Sequence, residues 1–179
     1  MAKVMQRPKA KLVVGIMYSN GDIIGKIEDI LIKRFGQIEN IVMTYPFSFT
    51  NYYEKEMGKK LRKTLVAFRR TINRESLAAI KVFTNRIEDR FSKKGRRKVN
   101  IDPGYLTMHN FVLASAKELP HRASIGKGMF ADVVLTFKDG RFHDTRTTFP
   151  DYKSSCAKEY LLKIRDIYSK QIDKKIISK

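Results

Sequence analysis

The chain has 179 residues, of which 37 are Lys or Arg and 18 are Asp or Glu, so its formal net charge is +19. The single cysteine, Cys156, excludes an internal disulfide and a cysteine-based zinc site. No apolar run approaches the ~18 residues of a membrane span, and residues 1–11 lack the apolar stretch of a secretory signal. We therefore expect one cytoplasmic domain over residues 1–179, with a flexible N-terminus at 1–10 and a frayed tail at 174–179.

The first half of the chain alternates between strand-type and helix-type patterns. Residues 11–18 are mostly β-branched and aliphatic, which is typical of a buried strand. Apolar side chains at helical spacing over 23–35 predict a helix that ends at Gly36. Two further strands are predicted at 38–47 and 63–72.

A second helix is predicted between Asn73 and Gly95. Its apolar face is formed by Leu77, Ile80, Thr84, Ile87 and Phe91. Residues 98–101 then read as another strand. The order β-α-β-β-α-β is that of ferredoxin-like proteins, so we predict an α+β fold with a ferredoxin-like core.

The remaining residues predict additions to this core. Thr107 predicts the start of a short helix that extends to residue 117. Residues 121–142 have strand character that is broken at 126–128 and at Asp139-Gly140, which predicts an added β-hairpin. From Ser155 onward, apolar residues at helical spacing predict a C-terminal helix.

The positive charge is concentrated in one segment. Residues 59–98 contain 15 Lys and Arg against 3 acidic residues, which leaves +12. Such a segment attracts polyanions, including RNA, DNA, anionic lipid headgroups and phosphorylated metabolites. The alternative is a solvated helix face in a generally basic protein. Polyanion binding, with RNA as a candidate partner, is therefore an expectation from charge alone.

The segment 100–105, Asn-Ile-Asp-Pro-Gly-Tyr, predicts a sharp bend. Pro103 fixes its own φ and disfavours helical geometry at Asp102, and Gly104 supplies backbone freedom. Asp102 and Tyr105 on such a bend are candidate ligand-binding side chains. An ordinary turn at the end of a strand has the same composition, so both interpretations remain open.

An aromatic and acidic segment spans residues 45–58. Tyr52 and Tyr53 are candidates for stacking on a base or donating hydrogen bonds, and the neighbouring Glu54 and Glu56 for holding a cation. The alternative is that these aromatic residues cover an edge of the core.

Two later motifs carry further polar candidates. His121 and Arg122 place a residue that titrates near neutrality beside a permanent cation, which suits phosphate binding or proton transfer. Lys127 stands between two glycines, where backbone N–H groups and an ammonium can approach an anion, although a hairpin turn has the same pattern. Asp132 follows on the next predicted strand as a carboxylate in need of a partner.

No sequence motif for NAD, FAD, haem or zinc is present, and neither a P-loop nor a nucleophile elbow occurs. An acid–base or metal site with Mg²⁺ or Mn²⁺ remains open. Its catalytic candidates are His121 and Asp102, and its metal-ligand candidates are Glu54, Glu56, Asp102 and Asp132.

Several motifs in order carry a resemblance to a known family. The matching segments are residues 46–53, 56–58, 97–106, 113–115, 121–122, 125–128 and 149–152. Together they are similar to the prokaryotic family called domain of unknown function 4416, over nearly the whole chain. The resemblance implies that the motif residues do more than form turns and core. We therefore expect Asp102, Tyr105, His121, Arg122 and Lys127 to line one pocket.

Three functional hypotheses follow from the sequence. The first is a binding module for a phosphate-bearing ligand, RNA or a nucleotide, in which Tyr52 or Tyr53 stacks and Arg122 and Lys127 hold phosphate. The second is an enzyme acting on a phosphorylated or nucleotide substrate, with His121 as its acid–base group. The third is an adaptor whose aromatic segment docks a protein partner. The sequence does not predict the oligomeric state.

Overall fold

The computed structural model describes the backbone of residues 9–177 and the side chains of residues 9–173. The expected flexible N-terminus therefore lies almost wholly outside the described residues, but Ala10 is already the first residue of a strand. Of the expected frayed tail at 174–179, the backbone of residues 174–177 continues the last helix, and residues 178 and 179 lie outside the described residues.

The strands and the two long helices of the first half of the chain follow the predicted order, and a short helix that was not predicted, α2, lies between the second and third strands. The elements are β1 (Ala10–Tyr18), α1 (Asp22–Phe35), β2 (Met43–Pro46), α2 (Glu54–Met57), β3 (Arg62–Ile72), α3 (Leu77–Arg90) and β4 (Val99–Leu106). A 3₁₀ turn precedes α3 at Arg74–Ser76. The second strand is shorter than expected, because residues before Met43 join β3 only through the single bridge Ile38↔Phe68.

The second half adds strands and one long helix. The elements are β5 (Asn110–Ser115), β6 (Ala123–Ser124), β7 (Phe130–Lys138), β8 (Arg141–Asp144), a 3₁₀ turn (Pro150–Lys153) and α4 (Ser155–Ile177). The predicted hairpin at Asp139-Gly140 joins β7 to β8, which pair from Leu135↔Asp144 to Lys138↔Arg141. The predicted C-terminal helix is α4.

All strands belong to one antiparallel sheet, and the fold is of mixed α+β class. The strand order is β2-β3-β1-β4-β5-β7-β6, with β8 also pairing β7. β1 is buried along its whole length because it lies between β3 and β4. Among the described residues, no helix has the length and apolar character needed to cross a membrane.

The sheet is covered by helices on both faces. Alternate residues of β1 face opposite sides, so Leu12, Val14 and Ile16 pack with Ile27 of α1 and Ile80 of α3. The other face packs against α4. Its core includes Val13, Leu65, Phe111, Tyr160, Leu161 and Ile164. Burial on both faces explains why β1 reads as a continuous apolar run.

The expected bend at Asp102-Pro103-Gly104 is wrong. These residues lie inside β4, whose register with β1 runs without a break from Lys11↔Leu106 to Tyr18↔Val99. The proline is tolerated because the pairing with β5 stops at Gly104, so no partner strand stands beside Pro103 on that side. Gly104 serves close packing instead of a turn.

The expected helix at 107–117 is also wrong, because this segment turns and continues as β5. The Thr107 hydroxyl accepts hydrogen bonds from the backbone N–H groups of His109 and Asn110, each at 3.1 Å, and so closes a turn. Phe111 and Leu113 then pack in the core on the α4 side, which strand alternation permits.

Replacing Gly104 with alanine is expected to destabilise the protein by about 1–3 kcal/mol. A Cβ at this position would lie 2.5 Å from the carbonyl oxygen of Val112 and 2.8 Å from Leu113 Cδ2, so β5 would have to move. Urea unfolding monitored by circular dichroism measures the change.

The matched control is Gly25→Ala. Gly25 lies within α1, and a Cβ there meets nothing within 4 Å, so alanine is expected to stabilise by about 0.5–1 kcal/mol. Equal stability of Gly104→Ala and the wild-type protein would contradict the close approach of β4 and β5.

Candidate functional site

The candidate site lies where the sheet divides between β4 and β5. These strands pair only from Gly104 to Leu106. Beyond that contact β4 stays paired with β1, and β5 stays paired with β7. A cavity of about 510 Å³ lies at this division, lined by Asn100 and Asp102 of β4 and by residues 113–117 of β5 and the loop after it. Such a volume is typical of small-molecule sites.

Asp102 contributes a partly exposed carboxylate to the cavity, and its side chain is 29% accessible. Asn100 Nδ2 donates to Asp102 Oδ2 at 2.6 Å, and Lys81 Nζ of α3 donates to Oδ1 at 3.4 Å. Burial would raise the pKa of Asp102, but the ammonium groups of Lys81 and Lys63 outweigh it and hold that pKa below its ordinary value. Asp102 is therefore ionised at neutral pH and can accept a hydrogen bond from a ligand.

Arg97 connects three elements at one end of the cavity. Its Nε and Nη2 donate to the two carboxylate oxygens of Glu56 in α2, at 2.7 and 2.8 Å. Its Nη1 donates to Glu88 of α3 and to Asn100 of β4, each at 2.9 Å. This planar, bidentate geometry requires a guanidinium. Arg97 thereby fastens the aromatic segment, through α2, to the sheet.

A buried ion pair forms another part of the cavity wall. Lys63 Nζ of β3 donates to Asp151 Oδ2 at 2.5 Å, and both side chains are almost fully buried. Burial alone would lower the pKa of Lys63, but Asp151 outweighs it and raises that pKa above its ordinary value. The ammonium also lies 4.4 Å from the centroid of the Tyr152 ring. Lys63 is therefore a fixed cation.

Gly15 of β1 makes room for this ion pair. A Cβ at position 15 would lie 2.8 Å from Lys63 Cε and 3.0 Å from the Tyr152 hydroxyl. That hydroxyl is buried and has no hydrogen-bond partner among the described residues. Burial raises the pKa of Tyr152 well above its ordinary value, so the hydroxyl stays protonated and is free to donate a hydrogen bond to an acceptor in the cavity.

Arg122 organises the opposite wall. Its Nη1 donates to Ser115 Oγ at 2.8 Å and to the carbonyl oxygen of Lys117 at 2.9 Å, and so fixes the loop after β5. Its Nε donates to Asp132 Oδ2 of β7 at 3.4 Å. His121 Nε2 lies 3.3 Å from the same oxygen. Within the described part of the chain, Arg122 Nη2 makes no hydrogen bond.

Tyr52 and Lys117 bridge the two walls at the edge of the cavity. Lys117 Nζ donates to the Tyr52 hydroxyl at 2.7 Å and lies 4.6 Å from the centroid of that ring. The hydrogen bond from Lys117 lowers the pKa of Tyr52. Lys117 has no carboxylate within 4.0 Å among the described residues, unlike the other four cations of the cavity lining.

Aromatic rings line both walls of the cavity. They are Phe47, Tyr52, Tyr53, Phe149 and Tyr152. Burial raises the pKa of Tyr53 to about 12, so its hydroxyl remains a hydrogen-bond donor at neutral pH. The cavity thus offers flat apolar surfaces next to ammonium, guanidinium and hydroxyl donors.

The structure brings some of the sequence candidates together and separates others. Tyr52, Tyr53, Asp102, Arg122 and Asp132 line the cavity. The remaining candidates, Glu54, Glu56, Tyr105, His121 and Lys127, are not among its lining residues. The expected single pocket of Asp102, Tyr105, His121, Arg122 and Lys127 therefore does not form.

Two of these candidates point elsewhere for identifiable reasons. Tyr105 is an odd-numbered residue of β4 and packs with Leu77 of α3 and Val112, on the sheet face opposite Asp102. Lys127 is exposed at the tip of a tight turn, with φ of 58° between Gly126 and Gly128 at 84° and 69°. The glycine–lysine–glycine motif serves this turn.

The four carboxylates expected as metal ligands do not converge. Glu56 binds Arg97, Asp102 binds Lys81 and Asn100, and Asp132 binds Arg122 and the hydroxyl of Thr147. Across residues 9–173, no group of three or more His, Cys, Asp or Glu side chains has an arrangement that could hold a metal ion. Glu54 lies in the short helix α2.

Lys63, Lys81, Arg97 and Asp151 were not predicted as site residues, although Arg97 and Asp151 lie in the segments 97–106 and 149–152 that carry the family resemblance. Lys81 left a signal, because it lies on the buried face of α3 together with Thr84 and Glu88. A lysine and a glutamate seven residues apart on an apolar helix face indicate a buried polar contact. Lys63 left no comparable signal, since its partner Asp151 lies 88 residues away.

Comparison with known proteins gives one match. A family model described as a domain of unknown function (DUF4416) matches residues 8–168. This match confirms the resemblance drawn from the motifs. Neither curated proteins nor solved structures yield a significant match to the chain.

Proposed function

We propose that this chain, which belongs to the DUF4416 family, is a binding protein for a small phosphate-bearing ligand of nucleotide size. The observation that carries the proposal is Lys117, a cation without a carboxylate partner among the described residues, at the edge of an aromatic-lined cavity of about 510 Å³. An uncompensated ammonium beside aromatic rings suits a ligand that has both an anionic group and a flat ring.

In the proposed complex, each part of such a ligand has its own partner in the cavity. Lys117 and the unused Nη2 of Arg122 hold the phosphate. The base stacks on Tyr52 or Tyr53, and Asp102 accepts a hydrogen bond from an amino group of the base. Lys63, Lys81 and Arg97 have carboxylate partners, so they shape the cavity instead of binding the phosphate. Arg122 also pairs with Asp132, but through Nε, which leaves Nη2 for the phosphate.

Isothermal titration with AMP tests the proposal. Lys117→Ala is expected to weaken AMP binding at least about tenfold, since a charge-assisted hydrogen bond contributes about 1.5–3 kcal/mol. Adenosine, which lacks the phosphate, is expected to bind the wild-type protein and the variant equally weakly.

Lys127→Ala is the matched control, because Lys127 is equally exposed but lies outside the cavity. It is expected to leave AMP binding unchanged. Failure of the wild-type protein to bind AMP at millimolar concentration, or equal affinities of Lys117→Ala and wild type, would contradict the proposal.

The proposal extends to the architecture. We infer that residues 10–106 follow the ferredoxin-like plan, with β5 to β8 and α4 as additions, and that the chain forms one domain. The antiparallel order β2-β3-β1-β4, with α1 and α3 on one face, supports the first inference. A core shared between α4 and residues of β1, β3 and β5 supports the second.

A further inference from the structure

Two basic loops meet at one end of the sheet. Arg62, the first residue of β3, and Val99, the first residue of β4, are both register partners of Tyr18 at the end of β1. The loops that precede these strands, residues 58–61 and 93–98, therefore emerge on either side of β1. Since neighbouring strands lie about 4.8 Å apart, the two loops begin about 10 Å from each other.

These loops carry an exposed cluster of cations, which we call the basic tip. Its members are Lys59, Lys60, Arg62, Lys93, Lys94, Arg96 and Lys98. Among the described residues, none of them has a carboxylate within 4.0 Å, whereas Lys63, Lys81 and Arg97 nearby are all paired. The basic tip is therefore a concentrated positive field without internal compensation.

The backbone of the basic tip is fixed by hydrogen bonds. Lys93 and Arg96 exchange backbone hydrogen bonds at 2.9 and 3.1 Å, and the two residues between them, Lys94 and Gly95, have φ of 52° and 71°. Two successive positive φ values across such a bridge define a type I′ hairpin turn. The cations thus stand on a preorganised loop.

The basic tip adjoins the cavity along the chain. Arg97 lies between two members of the tip, Arg96 and Lys98, and its own side chain lines the cavity together with Asn100. Other bases of the 59–98 segment are not part of this surface, since Arg69 and Arg70 lie at the opposite end of β3, where Thr71 pairs with Lys11.

We propose that the ligand is a single-stranded nucleic acid, of which one nucleotide enters the cavity while the phosphates next to it lie on the basic tip. This inference rests on the proposed function, because the cavity must accept a nucleotide. A flat ring site beside a row of unpaired cations is the arrangement by which proteins hold an unpaired strand. Paired bases of a duplex are not free to enter the cavity.

Fluorescence anisotropy with an oligoadenylate of about 12 nucleotides tests the proposal. We expect it to bind at least about tenfold more tightly than AMP, with a log–log salt slope steeper than about −2, which corresponds to three or more phosphates. The ribose and deoxyribose forms distinguish RNA from DNA, and tight binding of either form supports the proposal. A duplex of the same length is expected to bind more weakly and without dependence on Lys117.

Charge-reversal variants distinguish binding at the basic tip from attraction by the overall net charge of the protein. The triple change Lys93→Glu, Lys94→Glu and Arg96→Glu is expected to weaken oligonucleotide binding at least about tenfold and to flatten the salt slope. AMP binding is expected to stay unchanged, which also shows that the variant is folded. A control triple with the same change of net charge replaces Lys127, Lys163 and Lys170 with glutamate.

Two results would overturn this inference while leaving the proposed function intact. In one, the oligonucleotide binds no more tightly than AMP. In the other, the control triple weakens oligonucleotide binding as much as the tip triple does. Failure of the wild-type protein to bind AMP would instead overturn the proposed function. The AMP titration and the oligonucleotide titration therefore separate the two failures.

Discussion

Replacing Lys63 with methionine is expected to destabilise the protein by roughly 3–5 kcal/mol, the usual cost of removing one partner from a buried ion pair. The buried carboxylate of Asp151 would lose its cationic partner. Its remaining side-chain donor would be the neutral hydroxyl of Tyr45, at 3.3 Å. Urea unfolding at neutral pH measures the loss.

Two variants make this prediction specific. Adding Asp151→Asn to Lys63→Met removes the second charge and is expected to recover at least about 1 kcal/mol of the loss. Lys138→Met breaks an exposed ion pair, in which the side chains of Lys138 and Asp139 are 79% and 72% accessible. This variant is expected to leave the urea midpoint unchanged. A Lys63→Met variant as stable as Lys138→Met would show that the ion pair contributes little.

Replacing Arg97 with lysine is expected to weaken AMP binding at least about tenfold, although the charge is kept. A lysine has no planar fork, so it cannot bind both oxygens of Glu56 and still reach Glu88 and Asn100. Because Glu56 holds α2, the part of the aromatic segment after Phe47 would lose one of its attachments to the sheet. Titration with AMP measures binding, and hydrogen exchange of residues 47–57 measures the loosened segment.

Arg96→Lys is the control for this variant. Arg96 is exposed, lies next to Arg97 and has no carboxylate partner among residues 9–173, so its replacement is expected to change neither AMP binding nor hydrogen exchange. Faster exchange in residues 47–57 without weaker AMP binding would place the ligand away from the aromatic wall.

The sequence predicted the elements whose patterns are set by their own burial. β1 reads as an apolar run because both of its faces are covered, and α1 ends at Gly36 because the chain there adopts φ of 90°. The hairpin at Asp139-Gly140 follows from positive φ values of 51° and 76°. These local signals agree with the tertiary structure.

The predictions from sequence are wrong where the same residues are compatible with two local structures. Asp102-Pro103-Gly104 has the composition of a turn, but β4 is paired with β1 from Val99 to Leu106. The pairing of β4 with β5 stops at Gly104, so Pro103 costs no hydrogen bond on that side. Thr107 does cap a turn, but the chain after it continues as a strand. Neither outcome is decided by residues within the segment.

The candidate site was predictable only in part for the same reason. Asp102, Arg122 and the two tyrosines were singled out because their motifs are unusual, and all of them line the cavity. The division between β4 and β5, which creates the cavity, depends on pairing registers that no single segment specifies. Lys63 and Asp151 meet only through the fold.

The most direct test of the central claim is a crystal structure of the protein with AMP. We expect the phosphate within hydrogen-bond distance of Lys117 and Arg122, and the base against Tyr52 or Tyr53 inside the cavity between β4 and β5. AMP bound only at the basic tip, or at a site away from this cavity, would contradict the proposed function.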